Sequence, residues 1–103
     1  MSDFWLGFRK DPNSASRYER LKAARRKGSH TPDQWEALRT ICGNRCVRCG
    51  GTEWNVVKDH IQPIYQGGSD AIENIQPLCP PCNSSKGPEA IDHRPADWRR
   101  RLR

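Results

Sequence analysis

Long apolar runs are missing from this 103-residue sequence. No stretch reaches the roughly 18 consecutive apolar residues of a transmembrane helix, so no membrane span is expected. Apolar residues make up 34% of the chain, with only two phenylalanines, two tyrosines and one methionine. Mean hydropathy is −0.97. So short and polar a chain can bury only a small core, and an additional staple is expected. Phe4, Trp5, Leu6 and Phe8 lie near the start, but Asp3, Gly7 and Arg9 interrupt them, so no secretory leader is expected. Internal repeats and long low-complexity tracts are lacking too. The expected compartment is cytoplasmic, where cysteines stay reduced and serve metals more often than disulfides.

What the chain has in excess is positive charge, unevenly spread. The formal net charge is +6, of which residues 1–30 carry +5, residues 31–87 carry −1 and residues 88–103 carry +2. That pattern divides the chain into a basic N-terminal arm with a helix (1–30), a nearly neutral core (31–87) and a basic C-terminal extension (88–103). Basic ends around a neutral centre suit arms that grip phosphates, although they also serve solubility alone.

Helix signals are clear at two places. Ser16 and Glu19 have capping-box spacing, Arg25 to Lys27 suit a C-terminal dipole, and Gly28 can end the helix, which predicts a helix over Ser16 to Lys27. Its apolar face, Tyr18, Leu21 and Ala24, is thin. Thr31, Pro32 and Gln34 open a second helix to Cys42, with Trp35, Leu38, Ile41 and Cys42 on one stripe and Gly43 behind it. Trp54 to Ile61 reads as a strand, and Ile72 to Leu78 as a second. Pro63, Gly67 and Gly68 mark a loop of about a dozen residues between them, long enough to suggest function. Asn83 to Gly87 opens a helix, and Ala96 to Leu102 forms a last short basic one. The fold class expected is α+β.

Cys46-x2-Cys49 and Cys79-x2-Cys82 form two knuckles 29 residues apart. Two intervening residues let both thiolates of a knuckle converge on one ion, and four thiolates close a tetrahedral zinc shell. A closed shell has no place for water, so this Zn²⁺ is structural. A redox pair explains one such motif but not two, and the βαβ setting it needs is lacking. Cys42 lies on the apolar stripe and reads as a small buried hydrophobe.

Between the knuckles stand Asp59-His60-Ile61-Gln62-Pro63, then Gly67-Gly68, then Asn74-Ile75-Gln76-Pro77-Leu78, and Asn83 follows Cys82 directly. From about Gly43 to Gly87 this segment resembles the HNH endonucleases, whose ββα-metal fold is a hairpin followed by a helix. The chain departs from that pattern at the third letter, where Asn83 replaces the second histidine. The resemblance implies a DNA endonuclease acting on double-stranded DNA. In it His60 is the general base, Asp59 and Asn83 hold one catalytic Mg²⁺ or Mn²⁺, and Asn74 bonds the loop backbone to fix the orientation of His60.

These residue types suit the chemistry. A neutral imidazole can take a proton from water near pH 7, and hard oxygens bind Mg²⁺ or Mn²⁺. Neighbouring strand residues point to opposite faces, so Asp59 and His60 can share a site only at a bend or a strand end. Arg45 and Lys86 are candidate DNA contacts, and His93 is a candidate additional ligand or proton acceptor. His30 reads as structural, and Trp98 among its arginines as packing. The size resembles that of small bacteriophage HNH proteins, which implies a host cytoplasm and, by analogy alone, DNA-packaging proteins as partners. The rival function is a non-catalytic zinc-binding DNA or protein adaptor. An RNA-binding factor would need an aromatic stacking surface that is not evident.

Overall fold

The computed structural model describes residues 16–102; the part of the N-terminal arm before Ser16, with Arg9 and Lys10, and Arg103 lie outside the described residues. Helix α1 (Arg17–Lys27) begins where Ser16 caps it. The Ser16 hydroxyl accepts from the Glu19 N–H and the Glu19 carboxylate accepts from the Ser16 N–H, each at 3.1 Å. Gly28 closes the helix after Arg25, Arg26 and Lys27. Ala24 is buried, but Tyr18 is 69% exposed rather than part of an apolar face. Polar ties to the loop segment Gly67 to Asp70 make up for this thin packing. The Asp70 N–H donates to the carbonyls of Gly28 at 3.0 Å and Ala24 at 3.3 Å, and Lys27 Nζ donates to the Gly67 carbonyl at 2.8 Å.

Helix α2 (Pro32–Ile41) carries the second complete capping box, between Thr31 and Gln34. Its stripe is the core: Leu38 and Cys42 are buried with Ile72, Ile75 and Trp98, and Trp35 and Ile41 pack against them. A smaller cluster of Cys46, Leu78 and Cys79 lies beside it, with Val47 touching both.

Strands β1 (Val57–His60) and β2 (Ile75–Leu78) pair antiparallel, Val57 opposite Leu78 and His60 opposite Ile75. Both are shorter than the sequence suggests. Pairing starts at Val57 because β2 ends at Leu78, where Cys79 turns into its knuckle, and Trp54 is left 54% exposed. Ile72–Asn74 winds into a 3-10 turn before β2 begins, and a second such turn, Ile64–Gln66, sits in the loop. Helix α3 (Pro80–Ser85) follows β2 at once, and α4 (Trp98–Arg101) ends the described chain. The class is α+β, and the order β1, β2, α3 is a ββα unit. No described helix is long and apolar enough to cross a membrane.

The segment after α3 is pinned by Arg94, which the sequence did not single out. Its guanidinium donates to the carbonyls of Ile72 at 3.1 Å, Ile75 at 3.0 Å and Glu73 at 2.8 Å, and lies 3.9 Å from the Trp98 ring centroid. Asp92 holds it from the other side at 2.9 Å. Burial alone would raise the Asp92 pKa, but the hydrogen bonds from Arg94 outweigh it and lower it. Arg94→Met leaves the buried carbonyls without their donor. It is expected to cost about 3 kcal/mol or more and to lower the melting temperature of the zinc-loaded chain by roughly 10 °C or more, read by circular dichroism.

Candidate active site and metal centre

The first knuckle is a tight turn: the Gly50 N–H donates to the Cys46 carbonyl at 2.8 Å, and the Cys49 N–H points at Cys46 Sγ at 3.4 Å. The Val47 N–H donates to the Pro77 carbonyl at 3.1 Å, which sets this turn against β2. The second knuckle spans the end of β2 and the first turn of α3, where Pro80 and Pro81 occupy positions whose N–H groups have no helical partner. The sulfurs of Cys46, Cys49, Cys79 and Cys82 all lie within 4.8 Å of one another. Cys49 Sγ and Cys79 Sγ are 3.9 Å apart, against about 3.8 Å for the edge of a tetrahedron with Zn–S near 2.3 Å. The four thiols therefore fit a metal ion such as zinc.

Their protonation fits it as well. Burial works against ionising Cys46, yet hydrogen bonds from the backbone of Cys49, Cys79 and Arg48 and from the Cys49 thiol outweigh it, lowering the pKa to about 6. Cys82 is pushed up to about 12, first by burial and then by sharing hydrogen bonds with the other three thiols. One sulfur is ready to ionise, and another resists until a cation arrives. Zinc must therefore displace protons, so its apparent affinity is expected to weaken as pH falls from 8 to 6; competition with a chromophoric chelator measures it. Cys42 stands apart in the core, where burial raises its pKa.

A second cluster lies at the far end of β1. Asp59, His60, Asn83 and Lys86 line one cavity of about 480 Å³, together with Arg17 and Arg20 from the first turn of α1. Asp59 and His60 are the last residues of their strand and the chain bends at Ile61 and Gln62, which lets neighbours reach one cavity. Asp59 is only 3% exposed. Its cross-strand partner Gln76 donates to Oδ2 at 2.9 Å, and Lys86 Nζ lies 3.4 Å from the same oxygen. No described residue donates to Oδ1. Asn83 sits exposed on α3, its N–H bonded to the Cys79 carbonyl at 2.9 Å.

Asn74 stitches the loop. Its amide donates to the carbonyls of Ser69 at 2.7 Å and Gln62 at 3.0 Å, and its oxygen accepts from the Gln62 N–H at 2.9 Å. Gly68 permits this approach, since a Cβ there would lie 1.9 Å from the Gln62 carbonyl oxygen and 2.9 Å from the Asn74 amide nitrogen. The Asn74 carbonyl also accepts from the Ile61 N–H at 2.8 Å, fixing the backbone next to His60. The His60 ring itself is held by Asp70, whose Oδ1 lies 2.8 Å from Nε2.

The remaining candidates fall differently. Lys86 is buried and its ammonium donates to the carbonyls of Glu89 at 2.6 Å, Ile61 at 3.1 Å and His60 at 3.3 Å. Those bonds can use its three N–H groups. Arg45 is not among the cavity's lining residues; its side chain folds back toward Gly43. His93 does not line the cavity either, and its N–H donates to Gln76 Oε1 at 2.9 Å. His30 is placed structurally, Nδ1 lying 2.7 Å from the Asp70 carbonyl oxygen. Asp70, Gln76, Arg17 and Arg20 were not legible as site residues. Gln76 could have been found from the register that sets it opposite Asp59, and Asp70 as the first carboxylate after the Gly67-Gly68 pair.

Residues 46–89 match the family model described as HNH endonuclease. No curated protein and no solved structure matches the chain.

Proposed function

With an HNH endonuclease domain across residues 46–89 as the premise, we propose that this chain hydrolyses phosphodiester bonds in double-stranded DNA, using a divalent cation. The observation that carries the reading is the cavity that Asp59, His60 and Asn83 share with Arg17 and Arg20. A carboxylate and an amide oxygen form a thin, hard donor set, which suits Mg²⁺ or Mn²⁺ completed by water and substrate oxygens. Asp59 Oδ1, to which no described residue donates, and the Asn83 amide oxygen would hold that ion. Bound there, it supplies polarisation of the scissile phosphate and stabilisation of the leaving oxygen.

The chain's own residues supply the rest. His60 takes a proton from the attacking water as its oxygen bonds to phosphorus and the P–O3′ bond breaks. Lys86 and Gln76 keep the Asp59 carboxylate in place, and Lys86 also grips the His60 carbonyl. Arg17 lines the same cavity, and its guanidinium suits a phosphate flanking the cut. Four thiolates would hold Zn²⁺ away from the chemistry, tying β2 and α3 to the first knuckle. A single such site cuts one strand at a time, so nicks precede linear product. By analogy with small bacteriophage proteins of this type, the enzyme would work beside DNA-packaging proteins in a host cytoplasm.

One observation favours the adaptor reading: Asp59 is buried and already ion-paired with Lys86, as a purely structural carboxylate would be. Zinc-loaded protein incubated with supercoiled plasmid in Mg²⁺, Mn²⁺ or EDTA separates the two. The nuclease relaxes plasmid only with a divalent cation. The adaptor retards DNA in a gel and leaves it intact under all three conditions.

A further inference from the structure

We propose that Asp70 is a positioning residue that fixes which nitrogen of His60 acts as the base; this rests on the reading of His60 as that base. A carboxylate accepts hydrogen bonds and has no proton to donate, and Asp70 Oδ1 lies 2.8 Å from His60 Nε2. A neutral His60 ring therefore carries its proton on Nε2, and the lone pair is on Nδ1. A carboxylate paired with a catalytic imidazole sets tautomer and orientation in the same way in unrelated hydrolases.

Asp70 is itself held from several sides, which a surface carboxylate would not be. Its side chain is 9% exposed, whereas that of His60 is 24% exposed. The Asp70 N–H is anchored to the Gly28 and Ala24 carbonyls at the end of α1, and Ser29 bridges to Asp70 in parallel. The His30 ring donates from Nδ1 to the Asp70 carbonyl oxygen at 2.7 Å. Arg25 Nε and His30 Nδ1 each lie 3.6 Å from Oδ2, the oxygen that His60 does not use. One carboxylate oxygen thus faces the basic helix and the other faces the catalytic ring. Helix α1 and His30 thereby become part of the catalytic apparatus, acting through Asp70.

Long-range proton–nitrogen NMR on ¹⁵N-histidine-labelled, zinc-loaded full chain reads the tautomer of neutral His60 without DNA, with His60→Gln identifying its signals. The wild type is expected to carry the proton on Nε2. Asp70→Asn, whose amide can present a donor to Nε2, shifts the ring toward the Nδ1–H form and lowers nicking by about 100-fold or more. Added to His60→Ala, it causes no further loss. Wild-type His60 protonated on Nδ1, or a tautomer that Asp70→Asn leaves unchanged, overturns the proposal. Because the wild-type tautomer needs neither the variant nor a cleavage assay, a misfolded variant leaves the proposal decidable. A chain that leaves plasmid intact removes the nuclease reading separately.

Discussion

Removing the zinc, or replacing Cys46 with alanine, is expected to unfold the domain and not merely to inactivate it. Among the described residues the main buried cluster has five members, Leu38, Cys42, Ile72, Ile75 and Trp98, and the second is made largely of the cysteines themselves. Structural zinc supplies on the order of 10 kcal/mol in small domains, comparable to the about 5–15 kcal/mol that holds a typical domain together. An ion held by the four thiols would stand in for missing hydrocarbon. Cys46 is the most severe site to change, because it is fully buried and sits between the thiols and Leu78. Near-ultraviolet circular dichroism should collapse when zinc is stripped by a strong chelator and return on adding zinc back. A metal-free chain that keeps its tertiary signal would contradict this. The divalent ion proposed at Asp59 and Asn83 is different in kind: its removal should stop cutting and leave the spectrum unchanged, since it ties no elements of the described fold together.

The second large effect is expected at His60. His60→Ala should lower the nicking rate by about 10²–10⁴-fold, the usual contribution of a positioned general base. DNA affinity should stay within a few-fold, because the imidazole acts on water in the transition state while binding comes from the basic groups. The variant loses one hydrogen bond, to Asp70, and Asp70 keeps its ties to α1 and His30. Its zinc content and secondary structure should therefore match the wild type. Nicking kinetics, a mobility-shift titration and metal analysis on the same preparation separate these quantities. A variant that binds DNA poorly and cuts in proportion would place His60 in binding instead.

The parts of the fold that were legible in the sequence are those written locally. Both capping boxes join residues three apart, so Ser16 with Glu19 and Thr31 with Gln34 announce their helices without knowledge of the rest. The knuckles are equally local, and their convergence follows from the tetrahedral demand of one ion. Element ends depended on distant partners. Trp54 to Val56 have strand-forming composition, but the opposite strand stops at Leu78, so nothing pairs with them. Pro80 and Pro81 look like a rigid turn between cysteines, yet proline suits the first turn of a helix, and α3 starts there and not at Asn83.

Within the candidate site, the residues between the knuckles were readable as a pattern and their supports were not. Lys86 looks like a surface cation in sequence. Only the folded chain brings three carbonyls and Asp59 around its ammonium. Asp70 is ten positions from His60 in a loop whose path depends on the Asn74 stitches and on Gly68, so no spacing rule connects the two. Arg17 and Arg20 reach the cavity because α1 folds back over the loop, an arrangement fixed by Asp70 and Lys27 rather than by an apolar stripe.

The decisive reaction is DNA cleavage that depends on His60 inside a zinc-held frame. Zinc-loaded wild type and His60→Ala, matched for zinc content, should be incubated side by side with supercoiled plasmid in Mn²⁺ and the products resolved on a gel. Conversion to open-circular and then linear DNA by the wild type alone is the predicted result. Plasmid left supercoiled by both proteins, or cut equally by both, would contradict it.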